Sequence, residues 1–260
     1  MSSIEQFHGW LTGAFAELVR QLPDARFEQR DGYIVIAYPS FPVPSFNGIW
    51  ANGNNDLEAS TDLEAVIAEI DASGAWPGVT THDDLQPNLI REAKRLGLTD
   101  TTALPAMTVS PDRLQVPTID ARLEKANDPD GRAVALDLAA RGFGAPAEWL
   151  STLYGDDLAA MPGIDYYLAS ADDQPVSTAI SYIRSGTVGI FNVATPTEHR
   201  GHGYAAAITA YAIRQSFTAG AGTGWLQSSP MAEAVYSKLG FERIGAYTVH
   251  ARPSPARLED

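Results

Sequence analysis

The chain of 260 residues contains no cysteine, which removes disulfides, thiolate metal sites and a cysteine nucleophile in one step. Any covalent catalysis would have to run without a cysteinyl intermediate. Positive charge is scarce too: 18 Lys and Arg stand against 32 Asp and Glu, giving a formal charge of −14. Nucleic acids and anionic membranes are held by concentrated basic residues, so neither is an expected partner. Long apolar runs are also missing. Nothing approaches the ~18 residues needed to span a bilayer, and Met1 to Arg20, with Glu5, His8 and Glu17, lacks the pattern of a signal peptide. A cytoplasmic protein is expected.

What is there is a globular composition, 45% hydrophobic with aromatics throughout, and a length that suits two modest domains. Apolar residues recur with a helical period from Ile4 to Val19, and Tyr33 to Tyr38 and Phe46 to Trp50 read as strands. A helix is expected over 56–70 with Ser60 or Thr61 as its cap, a strand near 75–80, a helix over 87–96 stopped by Gly97, and a strand over 104–109. Pro111, Pro117 and Pro129 mark a boundary, so the domains are placed at 1–115 and 121–260. Beyond it the pattern gives helices over 132–140 and 146–153, and strands over 165–169, 176–184 and 187–194. A helix over 203–219, a strand over 224–227, a helix over 231–239 and strands over 241–249 follow. The fold class is α/β with a mixed sheet.

The most informative segment is Arg200-Gly201-His202-Gly203-Tyr204-Ala205, entered from the strand ending at Ala194 and followed by an alanine-rich helix. Two glycines let the backbone turn tightly where a helix begins and its free amides point outward, which is a cradle for phosphate. The spacing is not that of a dinucleotide fingerprint, and the Gly-Lys-Ser/Thr ending of a nucleoside triphosphate loop is absent. His199 and His202 have no third ligand at a useful spacing, so no metal site is expected.

The two halves look related. Residues 93–98, Ala-Lys-Arg-Leu-Gly-Leu, can be laid over residues 236–241, Tyr-Ser-Lys-Leu-Gly-Phe, and each copy lies between two strands. In place of the glycine loop the first half has Asn52-Gly53-Asn54-Asn55-Asp56, whose acidic end would repel phosphate.

Residues 188–241 resemble the GNAT superfamily of N-acetyltransferases. Arg200, Gly203 and Ala205 meet the family's loop pattern, and residues 234–241, which place Tyr236 before Leu239-Gly240-Phe241, are similar to its later motif. The clear resemblance covers about the last 130 residues. The first half resembles the degenerate copy of tandem members, so the expected architecture is two GNAT-like domains, each a twisted mixed sheet flanked by helices. The resemblance implies an acetyl-CoA site: the amides of Gly201, His202, Gly203, Tyr204 and Ala205 on the pyrophosphate, and Val193, Ala194 and Thr195 along the pantetheine arm. The Val193 N–H would polarise the thioester carbonyl. Ser229 stands where relatives carry asparagine, and Tyr236 is assigned as general acid. Pro196 lies one position earlier than the proline usual in this turn.

Acetyl transfer to an amine needs a free lone pair, donors for the developing oxyanion and a proton for the departing thiolate. Without cysteine, direct transfer in a ternary complex is the simplest route. Tyr236 could instead be a core aromatic against Leu239 and Phe241, and Arg200 could touch phosphate or only fix the loop by pairing with Glu198 or another acid. Glu198, Glu233, Asp165 and His250 are candidate bases by type alone. Trp149, Trp225, Tyr166 and Tyr167 could line an acceptor pocket or fill the core. The expected activity is acetyl-CoA-dependent N-acetylation of a small-molecule or peptide amine by a monomer or homodimer; the alternative is a silent acyl-CoA-binding sensor.

Overall fold

The computed structural model describes residues 3–30, 32–52, 62–82 and 86–253. The first half opens with α1 (Ile4–Val19), whose N-terminus is closed by a capping box in which Ser3 and Gln6 exchange side-chain and backbone bonds. Then come β1 (Arg26–Gln29), β2 (Tyr33–Ala37), a 3-10 turn over Pro44–Phe46, β3 (Asn47–Ala51), α2 (Asp62–Ala72), β4 (Gly78–His82), α3 (Pro87–Arg95) and β5 (Asp100–Val109). The expected start of the second helix at 56, its Ser60 or Thr61 cap and most of the acidic turn at 52–56 lie outside the described residues.

The second half contains β6 (Arg122–Lys125), α4 (Pro129–Phe143), α5 (Ala147–Leu150), α6 (Asp156–Ala159), β7 (Ile164–Ala171), β8 (Gln174–Arg184), β9 (Thr187–Ala194), α7 (Tyr204–Thr218), β10 (Thr223–Gln227), α8 (Glu233–Lys238) and β11 (Glu242–Ala251). Asp128 caps α4 by accepting from the Gly131 amide at 2.9 Å, Pro129 follows at the first helical position, and Gly144 ends the helix in the left-handed region at φ 64°. Residues 110–121 between the halves run as turns and extended chain.

The mixed α/β architecture holds, but the two expected sheets are one. Eleven strands run in the order β1-β2-β3-β4-β11-β5-β10-β9-β8-β7-β6. The last strand of each half has crossed into the other: β5 lies between β11 and β10, and β11 lies between β4 and β5. Both strands are ten residues long, because each must pair with two neighbours that begin at different heights.

The internal likeness read from sequence is a structural equivalence. The Leu98 amide donates to the Ala93 carbonyl at 2.9 Å, and the Phe241 amide donates to the Tyr236 carbonyl at 3.1 Å. Gly97 and Gly240 turn the chain at φ 79° and 91°. These are the same helix C-cap, with glycine supplying a conformation that costs other L-residues about 1–2 kcal/mol.

Helices cover both faces. On one face α1 and α4 bury Phe7, Leu11, Phe15, Leu138 and Ala139 against Trp50, Tyr166, Ile180, Trp225 and Tyr247. On the other, α7 and α8 pack on Met107, Val188, Ile190 and Leu226, while α2 and α3 cover Val35, Ile49 and Val79. Helix α1 belongs to the first half yet reaches the second. Its Glu17 accepts from Arg184 Nε at 2.8 Å and from the Tyr182 hydroxyl, and Phe7 meets Trp225 edge-on at 5.5 Å.

Candidate active site

The glycine loop leaves the carboxyl end of β9 through Thr195 and Pro196, makes a 3-10 turn at Thr197–His199, and enters α7 after Gly201 and Gly203 at φ 83° and 82°. A Cβ on Gly201 would meet nothing within 4 Å, so its glycine serves the turn rather than a close approach. Among the described residues, the amides of Gly201 to Ala206 donate to no protein group, and the Gly203 carbonyl takes the first bond of the ladder, from Ala207 at 3.0 Å. Exposed amides at the positive end of a 15-residue helix form an anion site.

Arg200 holds this loop by its carbonyls. Its Nε donates to Thr195 O at 3.1 Å and its guanidinium to Gly142 O, in the last turn of α4, at 2.8 Å. The pairing with Glu198 weighed from sequence does not form; Glu198 is engaged by Arg141. That ion pair neutralises the loop's own acid. The His202 ring stacks on Tyr204 at 5.6 Å.

Beside the loop two parallel strands part. β9 and β10 pair only at Thr187 with Thr223, Val188 with Gly224 and Gly189 with Trp225. Beyond that point β9 carries a bulge: its register with β8 slips between Ile180 opposite Phe191 and Thr178 opposite Ala194. Asn192 takes up the extra residue at φ 48°, in the left-handed region that asparagine tolerates best among residues with a side chain. Gly189 is required here, since a Cβ would be forced into the rings of Trp225 and Phe191. Gly142 serves the other flank by letting α4 press on Ala194 and Thr195. The Ser177 hydroxyl fixes the strand end, donating to Ala194 O at 2.9 Å and lying 2.9 Å from Thr195 Oγ1.

Tyr236 sits on α8, on the α7 face of the sheet. It is 8% exposed, packs on Phe241 at 5.9 Å, and its hydroxyl faces Thr209 in α7. Burial pushes its pKa up to about 12. Ser229 accepts from the Ala232 amide at 3.3 Å and so orders the entry to α8. The four candidate bases are all engaged elsewhere. Glu198 pairs with Arg141 and Glu233 lies 3.4 Å from Arg243. Asp165 binds Lys125 and Asn127, both at 2.7 Å, and His250 Nε2 lies 3.2 Å from Thr81 Oγ1 in the first half. Of the proposed pocket aromatics, Trp225, Tyr166 and Tyr167 are core residues. Among the described residues no cluster of three His, Asp or Glu could hold a metal ion, and no helix is long and apolar enough to cross a membrane.

Residues 163–250 match the model of the GNAT acetyltransferase family. That match lies within the C-terminal half. Solved structures extend the likeness over the whole chain. A GCN5-related N-acetyltransferase from Kribbella flavida is similar at 20% identity and a TM-score of 0.71, covering 100% of this chain and 99% of its own. One from Sphaerobacter thermophilus is similar at 14% identity and 0.61, with 92% and 86% covered. A GCN5-related N-acetyltransferase-like protein from Streptococcus suis follows at 15% and 0.56, with 94% and 100% covered. At these identities the likeness is one of fold. No curated protein matches the chain.

The GNAT match spans both the parted strands and the glycine loop, and it includes the Tyr236 cap. The first half presents the same architecture with different side chains. Ala93 stands in the place of Tyr236 and His82, at the end of β4, in that of Gln227, at the end of β10. Sequence reasoning missed Asn192 and Gly142. The available signal was an isolated asparagine within the apolar run of β9 and a glycine in the last turn of α4.

Proposed function

We propose that the GNAT half transfers an acetyl group from acetyl-CoA directly to an acceptor amine. The observation that carries this reading is the coincidence of two openings. The unbonded amides from Gly201 to Ala206 and the gap beyond the Gly189 and Trp225 pair both lie at the carboxyl ends of β9 and β10. Gly201, His202, Gly203, Tyr204 and Ala205 would hold the pyrophosphate through their amides, with Arg200 keeping the loop in shape. The backbone of Val193, Ala194 and Thr195 would align the pantetheine arm as an added strand, Ser229 standing at its far side. The thioester supplies an activated acyl carbon, and the Val193 N–H would polarise its carbonyl. Tyr236 keeps its proton throughout the neutral range and would give it to the departing sulfur. The amine loses its own proton to water, because the acids near the loop are held in ion pairs.

The test is release of free thiol from acetyl-CoA across an amine panel, clean in a protein without cysteine. Tyr236→Phe is expected to lower turnover about 100-fold with coenzyme affinity unchanged; full turnover by that variant sinks the acid role. A second reading, a silent acyl-CoA sensor, draws on the deep burial of Tyr236 and the orientation of its hydroxyl toward Thr209. Coenzyme binding without thiol release on any amine would favour it.

A further inference from the structure

Three uncharged polar groups converge on the α4 face where β9 and β10 part. Asn192 stands on β9, after Phe191, which packs on Trp225 at 5.4 Å. Gln227 stands on β10, two residues beyond Trp225 and therefore on the same face of the sheet. Tyr154, in the 3-10 turn Ser151–Tyr154, is 5% exposed and turns its hydroxyl toward Asn192 and Thr178. Asn192 Nδ2, Gln227 Nε2 and the Tyr154 hydroxyl are all buried, and none makes a hydrogen bond of ordinary geometry, although the hydroxyl lies close to Asn192 and Thr178. Burying a polar group without a partner is costly, and native proteins seldom leave three such groups together.

The neighbouring charge is already committed. Arg132, itself buried, spends its guanidinium on Tyr154 O at 3.0 Å, on Asn127 O and on Asp156. The groups left over are amide nitrogens and a phenol, which donate to neutral oxygen. Asn192 and Gln227 are half-buried as residues, so they stand at the edge of the core rather than within it.

We propose that Tyr154, Asn192 and Gln227 form the acceptor-recognition site, selecting a small amine that carries hydroxyl or amide oxygens over a polyamine or an apolar amine. This rests on the acetyltransferase reading for its place in the reaction, but not for the binding it describes. The three side chains bind the acceptor and orient its amine toward the gap; no bond is made or broken on them. The position of Asn192 at the bulge fixes the direction of its carboxamide, because the left-handed backbone turns the side chain onto the face where Phe191 already points.

The experiment uses the full chain with free coenzyme A, so that binding is read without turnover. Calorimetry compares a 2-amino-2-deoxyhexose, an amino-acid amide, cyclohexylamine and spermidine, which separates a sugar-like from a peptide-like acceptor. The oxygen-bearing amines should bind best, and Tyr154→Phe, Gln227→Met and Asn192→Gly should each weaken them about three- to tenfold, leaving cyclohexylamine unaffected. In thermal melts without ligand, Tyr154→Phe and Gln227→Met should hold or raise the Tm. A fall of about 2–4 °C in both would show that the groups are satisfied within the fold, and would overturn the proposal. So would variants that bind the amines as the wild type does. If coenzyme fails to bind while the amines respond as expected, the acetyltransferase reading falls and this site stands; coenzyme binding with amines indifferent to all three variants sinks this site alone.

Discussion

Two copies of one helix cap distinguish the half that matches the GNAT family model from the half that does not. At the first, Ala93 is fully buried and the turn beyond it faces open space: a Cβ on Gly97 would meet nothing within 4 Å. At the second, Tyr236 fills the equivalent position, and a Cβ on Gly240 would be driven into the Arg113 carbonyl. The backbone geometry is shared and the surroundings are not. The linker between the halves is folded against the second cap, where Gln115 N donates to Leu239 O at 2.9 Å. The fold keeps both caps for architecture, and only the second is packed against the linker.

Paired glycine substitutions break this comparison most sharply. Gly97→Ala should cost about 1–2 kcal/mol, the price of a left-handed backbone alone. Gly240→Ala adds a backbone clash and should cost roughly 3–5 kcal/mol, because the 111–115 turn must move as well. Urea unfolding of the two variants measures the gap, and equal costs would mean that the second cap carries no extra constraint.

The glycine loop gives the next contrast. Gly203 at φ 82° and Gly74 at φ 80° are equally left-handed, and neither has a tight neighbour. Valine at either position should destabilise by about 1–2 kcal/mol. At Gly203 alone, coenzyme affinity should also fall about tenfold or more as the amide row is displaced. Arg200→Gln should act more gently, since it releases Thr195 O and Gly142 O without removing any amide from the loop. A several-fold loss of affinity is expected, with little dependence on salt; a steep salt dependence would instead mark Arg200 as a direct phosphate contact.

How much of this was legible in the chain follows from the range of each interaction. The capped helices, the glycine turn and the repeated cap are local patterns, and residues within about one turn of each other determine them. The exchange of β5 and β11 is not local. Nothing in Asp100–Val109 says which strand will lie beside it, since its residues do not alternate but pass from an exposed first half to a buried second half. The same limit applies to the site. Tyr236 and the loop could be read in register with a known pattern, whereas Asn192, Gln227 and Tyr154 come from three elements and acquire meaning only when their unbonded atoms are seen together. The roles weighed for Arg200 missed its carbonyl partners for the same reason, since Gly142 is 58 residues away.

The smallest effect expected is a pH dependence at the seam where the halves meet. His8 and His250 are buried along the seam between α1, β4 and β11, with His8 Nδ1 3.0 Å from the Tyr247 hydroxyl. Burial is the main cause that holds both imidazoles below the ordinary value of 6.5. A histidine whose folded pKa is lowered binds its proton more readily in the unfolded chain, so the stability it contributes is complete above pH 6.5 and is lost as the pH falls below it. Each such group can remove up to about 1.4 kcal/mol per pH unit until its folded form also protonates. Chemical denaturation between pH 7 and 5 should therefore show a decline that His8→Gln flattens. Because Gln can still bond the Tyr247 hydroxyl, the flattening reports the lost titration rather than a lost contact, and an unchanged slope would place the acid sensitivity away from His8.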